Sequence, residues 1–356
     1  MTLRIIHGVP FTRLSDSAQT LYAELLDQMR VAAAEAAIGD TAGSFVSKEI
    51  RGNTYWYLQK SEGARKRQIY VGRDSAELRK RIEAANDQRL DAASDEKRRR
   101  ELISMLTAAG LFRESAAITT VLQILGDAGV FRAGGVLVGT QAFSCTANLL
   151  GVRFDQQSLR TADVDVAHDD SIPLGLSASD ASGGDVLARL RAAEPRFFAI
   201  PGLDVREPST SFKVRGRDLR VDFLTPARSR QSPAPVLLPH LGVAAQPLAG
   251  LDYLLEEPID AVVVAAAGVH VQVPSPARFA LHKMWVASQR PASEQAKVQK
   301  DLRQAEQLLD VLSLDRPDDI SVAYASLSRR GSMLRVVRRA WKGLPDELQE
   351  RLHALI

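Results

Sequence analysis

The chain of 356 residues has one cysteine, Cys145, and therefore no internal disulfide. Its six histidines are scattered, and no Cys/His cluster has the spacing of a zinc site. Aromatic residues make up only 6%. No apolar run is long enough to cross a membrane as a helix, so no membrane partner is expected. The opening MTLRIIHGVPFTRLSDS lacks the charged, apolar and cleavable regions of a secretory leader, which predicts a cytoplasmic protein. No strand is followed by a Gly-x-Gly-x-x-Gly turn with an acidic residue beyond it, which argues against a dinucleotide-type α/β enzyme. A net charge of +3 is too small to imply nucleic acid by itself, so local patterning carries more weight.

Leu21, Leu25, Leu26 and Met29 recur at helical spacing within residues 12–38. Aromatic and β-branched residues then dominate about residues 44–72, with turn residues Gly52 and Asn53, as in a three-stranded antiparallel meander. Asp74 or Ser75 is placed to cap a long charged helix reaching about Ala109, with EKRRRE as a solvated face. A helix from Glu114 to about Gly126 precedes the apolar strand Val136, Leu137, Val138. A further strand is expected at RTADVDVAHDD and a strand pair, at about 211–215 and 219–225, in KVRGRDLRVDFLTP, with a helix over 186–194 between them. The Pro-, Ser- and Gln-rich stretch 227–250 reads as a long surface loop. Beyond Val271 the periodicity is helical, over about 276–290, 294–312, 318–328, 332–341 and 345–354. The whole is α+β, with a helix–meander–helix module over 1–113, a mixed-sheet core over 114–272 and a helical domain over 273–356.

Asp163 and Asp165 alternate with Val164 and Val166. In a strand, both carboxylates point to one side while the valines enter the core. Forced together, the two repel, and a divalent cation with a preference for hard oxygen ligands relieves that repulsion. Asp222 repeats the pattern within Val221-Asp222-Phe223 and is the candidate third carboxylate. Upstream, Gly139 follows the apolar strand and Thr140 opens a helix, a geometry that exposes backbone N–H groups to phosphate. The four histidines His168, His240, His270 and His282, and Cys145, read as structural, each without a catalytic partner nearby in sequence.

Val138-Gly139-Thr140, Asp163-Val164-Asp165 and the distant Asp222 together resemble the nucleotidyltransferase superfamily related to DNA polymerase beta. The resemblance implies a nucleotidyltransferase-fold mixed sheet flanked by helices. It also implies Mg²⁺-dependent transfer of a nucleoside monophosphate from an NTP, with Asp163, Asp165 and Asp222 as catalytic ligands of a two-metal site and Gly139 and Thr140 against the nucleotide. PSPARFALHKMWVASQRP with KVQKDLRQAEQLL resembles the helical region of the AbiEii-type toxin branch, which implies that Lys283 reaches the triphosphate and gives Lys300-Asp301 a matching place. Arg290, Lys297 and Arg303 read as surface charges. The stretch SFVSKEIRGNTYWYLQKSEGARKRQIYVG resembles an uncharacterised bacterial group of nucleotidyltransferase-like proteins. Its basic residues, interleaved with aromatics, make Lys48, Arg51 and Lys66 candidate acceptor-binding residues. The acceptor is left open between RNA or tRNA, a protein and a small molecule, with a toxin-like role among the readings. The rival class is a non-catalytic nucleic-acid- or protein-binding module that keeps the fold.

Overall fold

The computed structural model of the chain describes residues 11–38, 44–50, 53–62, 65–154, 162–169, 186–202, 207–228, 234–239 and 241–356. The chain opens with strand β1 (Phe11–Arg13) and helix α1 (Asp16–Ile38). The helix starts later than its periodicity predicts, because residues 11–13 pair antiparallel with a strand far along the chain. A meander follows: β2 (Ser44–Ile50), β3 (Asn53–Glu62) and β4 (Arg65–Arg73), antiparallel throughout. Helix α2 (Ala76–Ala108) is capped by Ser75, whose side chain accepts from the Leu78 amide. Asp74 instead accepts from Trp56 Nε1 at 2.8 Å. On α2, Lys97, Arg98 and Arg100 are exposed, as expected of a solvated face.

The central unit begins with α3 (Ala116–Asp127), β5 (Val136–Val138), α4 (Gly139–Leu149), β6 (Val152–Phe154) and β7 (Asp163–Ala167). It continues through α5 (Val186–Ala193), β8 (Phe197–Ala199), β9 (Ser211–Val214) and β10 (Arg220–Pro226). Next come β11 (Val236–Leu238) and β12 (Val243–Leu248), where a surface loop is expected from sequence. The reason is burial: Val243, Ala244 and Ala245 are enclosed, and β12 runs parallel to β10. A strand covered on both faces shows no alternation and is not legible as a period. A turn of helix α6 (Leu251–Leu254) and the hairpin β13 (Ile259–Val263)–β14 (Val269–Val273) complete this part.

Seven strands form one mixed sheet in the path β11-β12-β10-β7-β5, with β9 beside β10 and β8 beside β9. Strand β10 is central. One edge pairs with β7 along its length, and the other changes partner, from β9 at residues 220–222 to β12 at residues 224–226. The change of partner falls at Phe223, which also lines the pocket on this side of the sheet.

Helices α7 (Pro276–Gln289), α8 (Gln295–Asp315), α9 (Pro317–Ser328), α10 (Gly331–Trp341) and α11 (Asp346–His353) form the C-terminal bundle. Pro276 and Pro317 stand in first turns, where a missing N–H costs nothing. Two apolar cores result. The larger runs from the sheet into the bundle, through residues such as Phe143, Phe223, Phe279 and Leu308. The smaller joins Leu14, Tyr22, Leu25 and Leu106 to Val262 and Val264 of the hairpin. Tyr22 Oη accepts from the Val262 amide at 3.1 Å, so α1 and the end of α2 are packed on the central unit. The chain is α+β, with its sheet residues and its bundle helices in largely separate stretches.

Candidate active site

Strands β7 and β10 lie parallel and adjacent, with Asp165 directly opposite Asp222 and Asp163 opposite Arg220. Val164, Val166, Val221 and Phe223 are buried, which turns the intervening aspartates to the other face. Asp163 is exposed, while Asp165 and Asp222 are half-buried. Burial, then the charges of Asp222 and Asp163, raises the Asp165 pKa to about 6, against an opposing pull from Lys283 and Arg220. The carboxylates thus sense one another across the two strands.

On the other side of β7 lies β5, with Val138 opposite Asp165. The chain leaves β5 at Gly139, whose φ of +68° belongs to the left-handed region, and enters α4. A Cβ at Gly139 would run into Asp165 Oδ2, so the position needs glycine for both space and backbone. Val138 is the N-cap of α4 and offers no side-chain cap, leaving the first-turn amides to other acceptors. Thr140 is buried, and its hydroxyl accepts from Lys300 Nζ at 3.0 Å. The bond links α8 to the start of α4.

Lys283 enters from α7. Its ammonium donates to Asp301 Oδ1 at 2.7 Å, and Arg290 Nε donates to Asp301 Oδ2 at 2.6 Å. Arg290, expected from sequence to be a surface charge, is in fact tied into this buried group, because Asp301 is only 3% exposed and needs partners. Lys297 is largely exposed, as expected. Lys300 has its pKa lowered, by burial first and then by the charge of Lys283.

Two participants escape the motif reading. Arg220 Nε donates to Asp222 at 2.8 Å and its Nη2 to Ser211 Oγ at 3.1 Å, and Ser211 Oγ also donates to Asp222. Arg220 and Asp222 are two apart on one strand, so their shared face was a signal available in Arg220-Val221-Asp222. Ser211 comes from β9 and had no local signal. With Asp222 so engaged, no three carboxylate, histidine or cysteine side chains among the described residues are already gathered as a metal cage. The donor chemistry nevertheless suits a hard divalent cation: three carboxylates on two neighbouring strands, one with a pKa raised by the others.

A cleft of about 810 Å³ is bordered by Gly139, Asp165, Asp222 and Arg220 on the sheet side and by Phe279, His282, Lys283 and Val286 on the α7 side, while Asp163 is not among its lining residues. The α7 residues recur at i, i+3, i+4 and i+7, one helical face. The volume is that of a pocket for a molecule of nucleotide size. Burial and the Lys283 charge push the His282 pKa down to about 3, so this ring is a neutral wall of the cleft. His168 Nε2 donates to Ala133 O at 2.7 Å within the core, and His270 sits 3.2 Å from Asp260 on the hairpin. His240 lies outside the described residues. Cys145 is buried with its thiol pKa pushed up by burial, which disqualifies it as a nucleophile.

Of the candidate acceptor residues, Lys48 is exposed on β2, where it donates to Gln68 Oε1 and lies 5.3 Å from the Tyr57 ring centroid. Lys66 is in β4, and Arg51 lies outside the described residues. No helix of the described residues is long and apolar enough to cross a membrane.

Comparison with known proteins gives two family matches. A family described as a domain of unknown function (DUF6788) matches residues 22–80, from within α1 through the meander to the start of α2. No curated protein matches the chain. No solved structure matches it either. The other match, to the family described as Nucleotidyltransferase, runs over residues 116–329, from α3 to the end of α9, and takes in the cleft and all three aspartates. Covering more than half of the chain, it establishes that this protein belongs to that nucleotidyltransferase family.

Proposed function

We propose that the protein is a Mg²⁺-dependent enzyme that transfers a nucleoside monophosphate from an NTP to an acceptor, with its active centre in the cleft between the sheet and α7. The observation that carries this reading is the register of Asp165 against Asp222, at the foot of a helix start reached through Gly139. Asp163, Asp165 and Asp222 would hold the metal. When bound, magnesium neutralises phosphate charge and favours the attack of the acceptor oxygen on the α-phosphorus as the bond to pyrophosphate breaks.

The chain's own groups divide the remaining work. The first-turn amides of α4 face phosphate oxygens, with the helix dipole favouring negative charge there. Lys283, held in place by Asp301, meets the charge that develops on the leaving group. Arg220 and Ser211 orient the Asp222 carboxylate. Phe279, Leu251 and Leu254 offer apolar surface to the rest of the nucleotide. The arrangement of β5, α4, β7 and β10 supports a nucleotidyltransferase-type core.

The test is incubation with each labelled NTP, with Mg²⁺ or with chelator, in the presence of total RNA or cell lysate. Label should move to a macromolecule or small acceptor only with Mg²⁺, and Asp163→Ala or Asp222→Ala should abolish it. Transfer that persists in both variants would sink the assignment.

A further inference from the structure

Residues 329–342 carry five arginines and one lysine and no acidic residue, the densest single-sign stretch in the bundle. Helix α10 sorts them by face. Met333, Val337 and Trp341 are buried in the bundle, while Arg335, Arg338 and Arg339 are exposed. Some of these cations are already engaged. Arg330 is bonded to Asp252 and Glu256, and Arg338 donates to Tyr324 Oη at 2.7 Å. Arg335 and Arg339, one turn apart, have no acidic partner among the described residues.

Both line a groove of about 660 Å³ between α10 and α7, together with Gly250, Trp285, Gln289 and Met333. The Trp285 ring is half-exposed and seated on the Gly250 backbone, where φ is +80° and an added Cβ would come within 2.6 Å of the ring. It is therefore an aromatic platform beside two guanidinium groups that have no acidic partner among the described residues. The groove and the cleft share a wall. Trp285 and Gln289 face the groove where His282 and Val286 face the cleft, and Gly250 borders the groove where Leu251 borders the cleft.

We propose that this groove binds a single-stranded nucleic acid, with its phosphates on Arg335 and Arg339 and a base against Trp285, and that the strand's end enters the cleft as acceptor. Only the acceptor part rests on the nucleotidyltransferase reading. The chemistry favours this occupant over other polyanions. Guanidinium groups grip phosphate oxygens bidentately and stack on bases, which suits a nucleic acid more than a diffuse field would. A concave site with an aromatic platform matches unstacked bases. A membrane surface fits poorly, since the apolar face of α10 is consumed by the bundle and none is left to enter lipid.

The experiment is fluorescence anisotropy of a labelled single-stranded oligoribonucleotide over a series of salt concentrations. It compares the full chain with Arg335→Ala/Arg339→Ala, with Trp285→Leu and with Lys48→Ala/Lys66→Ala of the meander. The arginine pair should weaken binding and make the salt slope shallower by about 1.4, two contacts at about 0.7 each. Trp285→Leu should weaken binding at least about fivefold with an unchanged slope. Melting of each variant is followed with and without Mg²⁺ and NTP. A retained ligand-induced shift shows that the cleft is intact. An arginine pair with wild-type affinity and slope, binding lost only in the meander variant, binding to anionic vesicles but not to RNA, or no RNA binding by the unaltered chain would each overturn the proposal. A missing Mg²⁺–NTP shift in the unaltered chain would instead count against the nucleotidyltransferase reading, and the RNA result would be read independently.

Discussion

Gly139 lies against the carboxylate of Asp165, so closely that the Cβ of any other residue would come within 2.3 Å of Oδ2. The turn into α4 and the acidic pair on β7 are thus one packed unit. Gly139→Ala should break it. The left-handed φ costs about 1–3 kcal/mol for a residue with a side chain, and Asp165 must also move. Denaturant unfolding should show a loss at the upper end of that range, and nucleotide affinity should fall with it. A variant of unchanged stability would mean that the turn relaxes freely.

Asp165 gives the metal-free protein a definite pH dependence. Its pKa rises from 3.8 to about 6 on folding, so the folded chain keeps a proton that the unfolded chain has released. The stability contributed by this proton is complete below about 4 and is lost as pH rises through about 6. In chelator, unfolding free energy should therefore decline over that window. Asp165→Asn should flatten the decline and stabilise the protein at pH 8 by roughly 2–3 kcal/mol, the worth of two pKa units. Urea unfolding of both proteins at acid and alkaline pH checks it, and parallel pH profiles would refute it.

Lys283 and Asp301 form a buried ion pair, with side chains only 12% and 4% exposed. Lys283→Ala should cost stability, since breaking a buried pair is worth about 3–5 kcal/mol, reduced here because Arg290 still faces Asp301. It should also slow transfer by an amount equivalent to about 2–4 kcal/mol of barrier. Asp301→Asn should share the first effect and retain more of the activity, since the ammonium survives. Equal transfer rates for the two variants would make Lys283 a structural residue only.

Mg²⁺ and an NTP together should raise the melting temperature, because ligands of the folded state stabilise it by about 2.7 kcal/mol at a hundred times Kd. Asp163→Ala/Asp165→Ala should lose that shift while melting no lower than the unaltered chain without ligand. A double variant that fails to fold would assign the pair to the scaffold.

Much of this protein follows from local sequence. The alternation Asp163-Val164-Asp165 specifies a strand with its acids on one face, because side chains in a strand alternate. A polar cap at Asp74 or Ser75 and the charged run after it specify α2, and the helical periods of the C-terminal third specify five helices at nearly their observed bounds. The family of the chain is legible in Gly139 and the three aspartates, now matched over residues 116–329. Other features were decided only by tertiary pairing. Strand β12 carries no period because both its faces are covered, and it reveals itself only beside β10. Strand β1 exists because residues 152–154 are there to pair with it. The placement of Asp222 opposite Asp165, the grip of Ser211 and Arg220 on Asp222, and the pairing of Lys283 and Arg290 with Asp301 all join residues distant in sequence or on separate elements. Periodicity encodes which way a side chain points from its own element. Which element it then meets depends on long-range burial and strand registry, and these exist only once the chain has closed on itself.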